Sequence, residues 1–499
     1  MAFSHATIAI VLWLKALQDR VVLDSFKKTK IVATLGPASS TTSVIRDLYN
    51  AGVNVFRLNF SHGNHETHKK NASIIRSIEQ ESSRYVAIMM DLQGPKIRIG
   101  VFEDGQISLR NGSKFTLDNN SDFGNSMRVT LPHPEIFRFI EAGAEILLDD
   151  GKIKLLVTDN NGDRIETKVI TGGILSNKKG VNFPNVLLPI EVLTEKDKKD
   201  IRLAEIIGVD YVAVSFIQKQ EDIQHVRKFL DNEMKIIAKI EKPEAVQNLD
   251  SIVEEADAIM IARGDLGVEM PVEMIPCIQR KIVEKCRQSK KPVIVATQMM
   301  ESMIQNPVPT RAEVSDVATA VYQGADAVML SAESASGKFP VETVKIMSDV
   351  IIHTENDIDT FQRQQQDKTE NHSVDHAITI ALNRAVKISG IKTIVAFTES
   401  GRTSMDVSQS RPNANIIALT PNIRTAREMC LVWGTQAMLI EDLYSFTQMT
   451  QVVQTRISEF CKVENNDKVI IVAGVPFRRS GRTNILHICE IEKDQIVND

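Results

Sequence analysis

Polar side chains stand at the ends of several short apolar runs in this sequence. The residues concerned are Arg57, Asn59 and Ser61; Asp91; Lys239 and Glu241; Arg263, Gly264 and Asp265; Thr297 and Gln298; and Ser331 and Glu333. If the runs are parallel strands of a β/α barrel, these residues meet at the mouth where such barrels carry active sites. The alternative is that the charges form salt bridges that stabilise the rim. Convergence from six strands favours a catalytic site, because buried charges without a function are costly.

Two carboxylates among these residues suit a divalent cation. Glu241 and Asp265 follow neighbouring runs and offer too few oxygens for a closed calcium cage, whereas Mg²⁺ keeps waters and takes substrate oxygens as ligands. Lys239 lies two residues before Glu241, so strand alternation points both side chains to the same side. An ammonium there could balance charge on a transferring phosphoryl group or on a developing enolate oxygen.

The elements that must position these residues follow an alternating pattern. Eight β-branched runs begin at Lys30, Val53, Tyr85, Asp210, Lys235, Asp257, Pro292 and Asp326. Amphipathic stretches between them predict helices over Glu195–Ile207, Glu221–Leu230, Glu244–Glu255 and Ala312–Tyr322. This count predicts an α/β fold, a (β/α)₈ TIM barrel.

Two further regions interrupt or follow the barrel. Short alternating runs with turn signals over 93–189 predict an inserted small β-barrel domain that forms a lid over the mouth. The barrel then comprises 28–92 and 190–354, after an N-terminal extension over 1–27. A polar stretch over 355–372 predicts a linker, and 373–499 predicts a C-terminal doubly wound α/β domain with strands from Lys392, Asn415, Ala437 and Lys468.

The composition limits the partners and the compartment. The 499-residue chain is 43% hydrophobic and has a net charge of -5, which gives no basic field for nucleic acid or an anionic membrane. Five cysteines without CxxC spacing indicate neither a disulfide framework nor a zinc site and favour a cytoplasmic location. The apolar stretch Ala6–Leu14 has no basic region before it and no cleavage signal, so a helix or extension is favoured over targeting.

Seven segments resemble the signature segments of pyruvate kinases, in the same order and with the same spacing. They are RLNFSHG at Arg57, DLQGPKIRIG at Asp91, KKGVNFP at Lys178, AKIEKPE at Ala238, ARGDLG at Ala262, ATQMMESM at Ala296 and MLSAESASGKFP at Met329. The resemblance extends from about Lys28 to the C-terminal domain. It implies Mg²⁺-dependent phosphoryl transfer from phosphoenolpyruvate to ADP, which gives pyruvate and ATP in the last step of glycolysis.

The resemblance also implies roles for individual residues. Glu241 and Asp265 would bind Mg²⁺, with Mn²⁺ as an alternative ion, and phosphoenolpyruvate would contact Arg57, Lys239, Gly264, Asp265 and Thr297. Lys239 would stabilise the transition state, and Thr297 would help to deliver a proton to enolpyruvate through water. Arg98 and Lys179 would contact the nucleotide phosphates, with Lys179 reaching in from the lid.

One departure from the common family pattern concerns potassium. Family members that need K⁺ hold it with groups that match Asn59, Ser61, Asp91 and the residue after Asp91. This chain has Leu92, Gln93, Lys96 and Ile99 where that pattern has threonine, lysine, glutamate and threonine. We therefore predict that K⁺ is not required, because the Lys96 ammonium replaces it; the alternative is that Lys96 faces solvent and K⁺ still binds.

Regulation and assembly follow from the resemblance alone or from short motifs. Thr398, Ser400, Gly401, Arg402 and Thr403 lie between a strand and a helix and could hold a phosphate, as a sugar phosphate or AMP effector would require. A solvated Ser/Thr turn is the alternative. Arg478, Arg479 and Arg482 would add positive charge if their loop folds nearby. A homotetramer is implied by the family.

Two other functions compete with the kinase. A Mg²⁺-dependent carbon–carbon lyase would also stabilise an enolate, but it would need neither the lid nor Arg98 and Lys179. A catalytically silent scaffold would not need Lys239, Glu241, Asp265 and Thr297 together. His62, His65 and His68 have no fourth ligand at a suitable spacing, so structural or surface roles are favoured over a metal site.

Overall fold

The computed structural model describes residues 27–82, 84–184, 186, 191–231, 233–361, 374–459, 463–476 and 483–492. The predicted N-terminal extension therefore lies almost entirely outside the described residues. The described chain forms two compact units: one contains Thr29–Ile358 and Arg427–Trp433, and the other contains most of the remaining C-terminal residues.

All eight predicted barrel strands are present and close into a parallel barrel. They are β1 Lys30–Leu35, β2 Val55–Asn59, β3 Ala87–Asp91, β12 Tyr211–Val214, β13 Lys235–Ile240, β14 Ala258–Ala262, β15 Val293–Ala296 and β16 Ala327–Leu330. The order around the barrel is β1-β16-β15-β14-β13-β12-β3-β2. Inward-facing apolar side chains such as Val32, Met89 and Ile294 fill its interior, so the barrel is a packed core and not a pore.

Helices and short helical turns connect the barrel strands. The α-helices are α1 Thr42–Asn50, α2 His65–Glu81, α4 Glu195–Ile207, α5 Gln220–Arg227, α6 Pro243–Gln247, α7 Leu249–Glu255, α8 Arg263–Glu269, α9 Ile275–Gln288, α10 Arg311–Gln323, α11 Ala332–Ala335 and α12 Pro340–Phe361. Helix α4 has a capping box between Thr194 and Asp197 and ends at Gly208 in the left-handed conformation, which explains its sharp boundaries. The single helix predicted over Glu244–Glu255 is instead two helices that meet at Asn248.

The segment between β3 and α4 is a separate β domain around its own apolar core. Its strands are β4 Gln106–Leu109, β5 Lys114–Asp118, β6 Arg128–Thr130, β7 Glu145–Leu148, β8 Ile153–Asn160, β9 Arg164–Thr171, β10 Gly173–Ser176 and β11 Val181–Asn182, with one short helix, α3 Pro134–Phe137. Their hydrogen bonds form a six-stranded sheet, β11-β7-β8-β9-β5-β6, and a two-stranded sheet, β10-β4. We call this domain the insertion.

The C-terminal region forms a five-stranded sheet flanked by helices. Its strands are β17 Thr393–Phe397, β18 Asn415–Thr420, β19 Thr435–Leu439, β20 Lys468–Ala473 and β21 Ile485–Glu490, in the order β19-β18-β17-β20-β21. Its helices are α13 Val374–Ser389, α14 Arg402–Gln409, α15 Ile423–Glu428 and α16 Phe446–Arg456. The four predicted strands are parallel, and the fifth strand, β21, is antiparallel to β20.

Two segments differ from the predicted domain limits. Helix α12 continues through the first part of the predicted linker to Phe361, and residues 362–373 lie outside the described part of the chain. Residues Arg427–Trp433, inside the predicted C-terminal domain, belong to the barrel unit, where Cys430 and Leu431 pack in the barrel core. No helix among the described residues is long and apolar enough to cross a membrane.

Candidate active site

A cluster of paired charges occupies the mouth of the barrel at the ends of β2, β3 and β13. Asp91 accepts hydrogen bonds from Arg57 Nε at 2.7 Å and from Lys239 Nζ at 3.2 Å. The Lys239 ammonium also lies 2.8 Å from Glu241 Oε1 and donates to Ser215 Oγ at 2.7 Å. The predicted convergence of charges is therefore present for these three strands, and it joins residues that are up to 184 positions apart because β2, β3, β12 and β13 are neighbours in the barrel.

The protonation of these groups follows from burial and from their neighbours. Burial alone would lower the pKa of Lys239, but the carboxylates of Asp91, Glu241 and Asp265 raise it above its usual value. Burial would raise the pKa of Asp91, but Arg57 and Lys239 together lower it. Lys239 is thus held as a cation and Asp91 as an anion near neutral pH.

Glu241 and Asp265 form the part of the mouth that suits a metal ion. Glu241 Oε2 accepts a hydrogen bond from the backbone N–H of Phe216 at 2.8 Å, and burial together with the charge of Asp265 raises the pKa of Glu241 despite the opposing effect of Lys239. The Asp265 side chain has no hydrogen bond or ion pair among the described residues. Two carboxylates, one of which has no hydrogen bond or ion pair in the described part of the chain, fit an ion that completes its shell with water and substrate oxygens.

A strained turn after β15 presents Thr297. Thr297 and Gln298 have φ values of 69° and 54°, which are unusual for residues that carry a side chain. The Thr297 hydroxyl accepts a hydrogen bond from the Gly264 N–H at 2.7 Å and donates to the Ala296 carbonyl at 2.6 Å. Arg263 donates to the Thr297 carbonyl at 2.7 Å and makes an ion pair with Asp316, so it holds the turn in place.

The insertion brings together the two predicted nucleotide contacts. Arg98 and Gly180 are bridge partners, and Arg98 donates to the carbonyl of Lys178 at 3.0 Å, which places Arg98 beside the segment that carries Lys179. Lys179 Nζ lies 2.7 Å from Asp149 Oδ1. The hydrogen bond with this ammonium lowers the pKa of Asp149 below its usual value. Burial acts in the opposite direction but has a smaller effect. Lys179 must leave or share this carboxylate to meet a phosphate.

The four residues predicted to form the monovalent-cation pocket lie at the ends of β2 and β3. Asn59 is the register partner of Asp91, and its Oδ1 accepts a hydrogen bond from the Ser61 N–H at 3.1 Å. Leu92 is buried. Lys96 instead lies against Gly180 of the insertion and lines an open pocket with Asp265. Among the described residues, Asp91 takes its balancing charge from Arg57 and Lys239 and not from Lys96.

The predicted effector segment begins the first helix after β17. Thr398 is buried, Ser400 is exposed, and Gly401 has a φ of 83° immediately before α14. Arg402 lies 3.8 Å from Asp375, and the hydroxyl groups of Thr403 and Thr483 are 3.2 Å apart. Thr483 therefore contacts this segment, whereas Arg478, Arg479 and Arg482 lie outside the described residues.

Two family descriptions cover most of the chain and match its two structural parts. Residues 26–344 match "Pyruvate kinase, barrel domain", and residues 376–489 match "Pyruvate kinase, alpha/beta domain". This chain belongs to the pyruvate kinase family. It is therefore a phosphotransferase of the class that passes a phosphoryl group from phosphoenolpyruvate to ADP. The family assignment excludes the carbon–carbon lyase as its function.

Individual pyruvate kinases are similar over nearly the full length. The chain is 45% identical to a pyruvate kinase of Methylorubrum extorquens, over 94% of this chain and 98% of that protein. It is 41% identical to one from Geobacillus stearothermophilus, over 93% of this chain and 80% of that protein. The crystal structure of a pyruvate kinase from Cryptosporidium parvum matches with a TM-score of 0.88 at 33% identity, and the match covers 93% of this chain and 96% of that one.

Several residues of this pyruvate kinase site were missed by the sequence analysis. Ser215 directly follows β12 as a polar residue after an apolar run, which is the same signal that identified the other strands. Asp149 acts through its contact with Lys179, which is distant in sequence and which no local pattern reveals. Arg263 was identified at the end of its strand, but its contact with Thr297 was not. His65 pairs with Asp200 and His68 stacks on Phe60, so both have structural partners.

Proposed function

We propose that the mouth residues divide the pyruvate kinase reaction between substrate binding, charge stabilisation and proton delivery. The contact cluster of Arg57, Asp91, Lys239 and Glu241 beside the Gly264–Thr297 hydrogen bond is the observation that carries the proposal. Arg57 and Lys239 are the cations that bind the phosphoryl group of phosphoenolpyruvate before its transfer to ADP. Asp91 fixes both of them, so that neither has to reorganise when the substrate arrives.

Glu241 and Asp265 would hold Mg²⁺ or, as an alternative ion, Mn²⁺. When bound, the ion supplies positive charge to the phosphoryl oxygens. The chain itself contributes the two carboxylates as ligands. The hydrogen bond from the Phe216 N–H fixes the orientation of the Glu241 carboxylate. Lys239, which already touches Glu241, is then close to both the metal ligands and the phosphoryl group.

Ketonisation of enolpyruvate needs a charge stabiliser and a proton source. The raised pKa of Lys239 keeps its ammonium available for the enolate oxygen through the whole neutral range. Thr297 would align a water molecule that delivers the proton, because a threonine hydroxyl is itself a poor acid. The Arg263 contact and the positive φ of Thr297 support this role, since they hold the hydroxyl against Gly264.

The insertion would supply the nucleotide contacts. Arg98 and Lys179 are adjacent on its surface and can bind two phosphate groups of ADP. Lys179 exchanges its contact with Asp149 for the nucleotide when the insertion closes over the mouth.

Finer properties are also part of the proposal. The chain would act in the cytoplasm as a homotetramer, and a phosphorylated metabolite such as a sugar phosphate or AMP would bind at Thr398–Thr403. The contact between Thr403 and Thr483 supports the effector site, because it joins the first turn of α14 to the segment just before β21.

We also propose that K⁺ is dispensable and that Lys96 supplies the cation. Lys96 shares an open pocket with Asp265, so closure of the insertion could bring its ammonium to the substrate phosphate. The test is ADP-dependent pyruvate formation with Mg²⁺, with and without K⁺, in a buffer whose other cations are bulky. We expect full turnover without K⁺ in the wild type and K⁺ activation in Lys96→Glu. Equal K⁺ activation of both proteins would contradict this account of Lys96, and no turnover under any condition would contradict the assigned site.

A further inference from the structure

A buried carboxylate outside the assigned catalytic set joins the insertion to the magnesium ligands. Glu269 Oε1 accepts hydrogen bonds from Asn182 Nδ2 at 2.8 Å and from Lys242 Nζ at 2.8 Å. Asn182 belongs to β11 of the insertion, whereas Lys242 immediately follows Glu241. Glu269 is the last residue of α8, the helix whose first turn contains Gly264 and Asp265.

The position of Asn182 ties this contact to the nucleotide side of the site. Asn182 lies three residues after Lys179, and β11 pairs with β7, which leads directly to Asp149. A shift of Asn182 relative to the barrel therefore moves both Lys179 and the carboxylate that holds it.

Burial makes Glu269 unusual for a residue that only stabilises a helix end. Its side chain is 2% exposed, and its second oxygen, Oε2, is buried without a hydrogen-bond partner among the described residues. An unsatisfied acceptor of this kind is destabilising and often marks a functional requirement.

We propose that Glu269 is a positioning residue that sets the distance between the phosphate-binding side chains of the insertion and the metal ligands of the barrel. The proposal rests on the nucleotide role proposed above for Lys179 and Arg98. It requires that loss of the contact weakens the binding of ADP more than the binding of phosphoenolpyruvate, because the phosphoenolpyruvate contacts Arg57, Lys239 and Thr297 all belong to the barrel.

The test uses donor and acceptor exchange across the contact. Glu269→Gln removes the charge that Lys242 pairs with and leaves Asn182 only a neutral amide acceptor, and Asn182→Asp sets two carboxylates against each other. We expect each single variant to raise the KM for ADP about tenfold and to change the KM for phosphoenolpyruvate less than about twofold. In the double variant the new amide can donate to the new carboxylate, and Lys242 regains an anionic partner. Its KM for ADP should return to within about threefold of wild type.

Controls separate positioning from general destabilisation and from the nucleotide assignment. Glu79→Gln alters another buried carboxylate with two basic partners, at the opposite end of the barrel, and should leave the KM for ADP unchanged. A parallel rise in both KM values for Glu269→Gln, or no recovery in the double variant, would overturn the proposal. If Lys179→Met raises the KM for ADP and Glu269→Gln does not, the positioning role of Glu269 is wrong, whereas the nucleotide role of Lys179 is retained. An unchanged KM in Lys179→Met would instead contradict the nucleotide role and, with it, the basis of this inference.

Discussion

The mouth and the base of the barrel both bury charged side chains, but they complete the pairing differently. At the base, Glu79 makes ion pairs with Arg76 and Arg427, and Arg76 also makes an ion pair with Asp210 at 2.6 Å. At the mouth, Asp265 has no partner among the described residues, and the backbone at Phe216, Thr297 and Gln298 has positive φ. Closed pairing at the base serves stability, and incomplete pairing with local strain at the mouth leaves positions for ligands.

Two buried lysines show the same contrast. Three nearby carboxylates raise the pKa of Lys239 at the mouth, although burial acts against them. Burial dominates at the base and lowers the pKa of Lys30 to about 8, despite weaker opposing effects of Cys430 and Glu355. The same residue type is thus a fixed cation in one region and a titratable group in the other.

The largest expected difference between the two regions is in catalysis. Lys239→Met should lower kcat by about 10²- to 10³-fold, because it removes a preorganised charge from the transition state. Lys30→Met, the matched substitution at the base, should leave kcat within about twofold. Steady-state assays at saturating substrates measure both. A comparable loss in Lys30→Met would remove the functional distinction between the mouth and the base.

The largest expected change in the free energy of unfolding comes from a substitution at the base. Glu79→Ala leaves the charges of Arg76 and Arg427 without their shared carboxylate, and it should lower the free energy of unfolding of the barrel unit by about 3 kcal/mol. Denaturant unfolding followed by a barrel-specific probe measures this change. The enzyme that remains folded should retain wild-type KM values, and a loss of substrate affinity without a loss of stability would reverse our interpretation of the base.

The smallest effect is a pH dependence that originates at Lys30. Its folded pKa of about 8 lies below the ordinary value of 10.5, so the unfolded chain binds more protons between these two values and stability rises with pH there. From pH 7 to pH 9.5 this contribution amounts to about 2 kcal/mol. Lys30→Met should lack it. The measurement is the difference between the two unfolding curves at each pH, and parallel curves for the two proteins would contradict the lowered pKa.

The sequence predicted the parts of the fold that depend on local pattern. Eight apolar runs identified the barrel strands, and polar residues at their ends identified the mouth, because both signals lie within a few residues of each other. Strand β21 was missed because its apolar residues are interrupted by His487 and its side chains are only half-buried or exposed. The division of the helix at Asn248 was also missed, since residues on both sides favour helix.

Contacts between distant segments could not be predicted in the same way. The link from Asn182 to Glu269 joins residues 87 positions apart, and neither residue stands at the end of a barrel strand. The placement of Lys96 beside Gly180 depends on the pairing of the start of the insertion with its end, which the neighbours of Lys96 in the sequence do not specify. Side-chain convergence of this kind is a property of the folded chain and of no local sequence pattern.

The segment Arg427–Trp433 limits how the gene for this enzyme can be divided or recombined. The barrel unit takes these residues from far downstream of its last strand, and Leu431 fills the core while Arg427 neutralises Glu79. A gene fragment that stops before residue 374 would encode all eight strands and still leave the base open. Recombination that replaces the C-terminal region as a cassette must therefore preserve this short segment, or it will damage a barrel whose own coding sequence is intact.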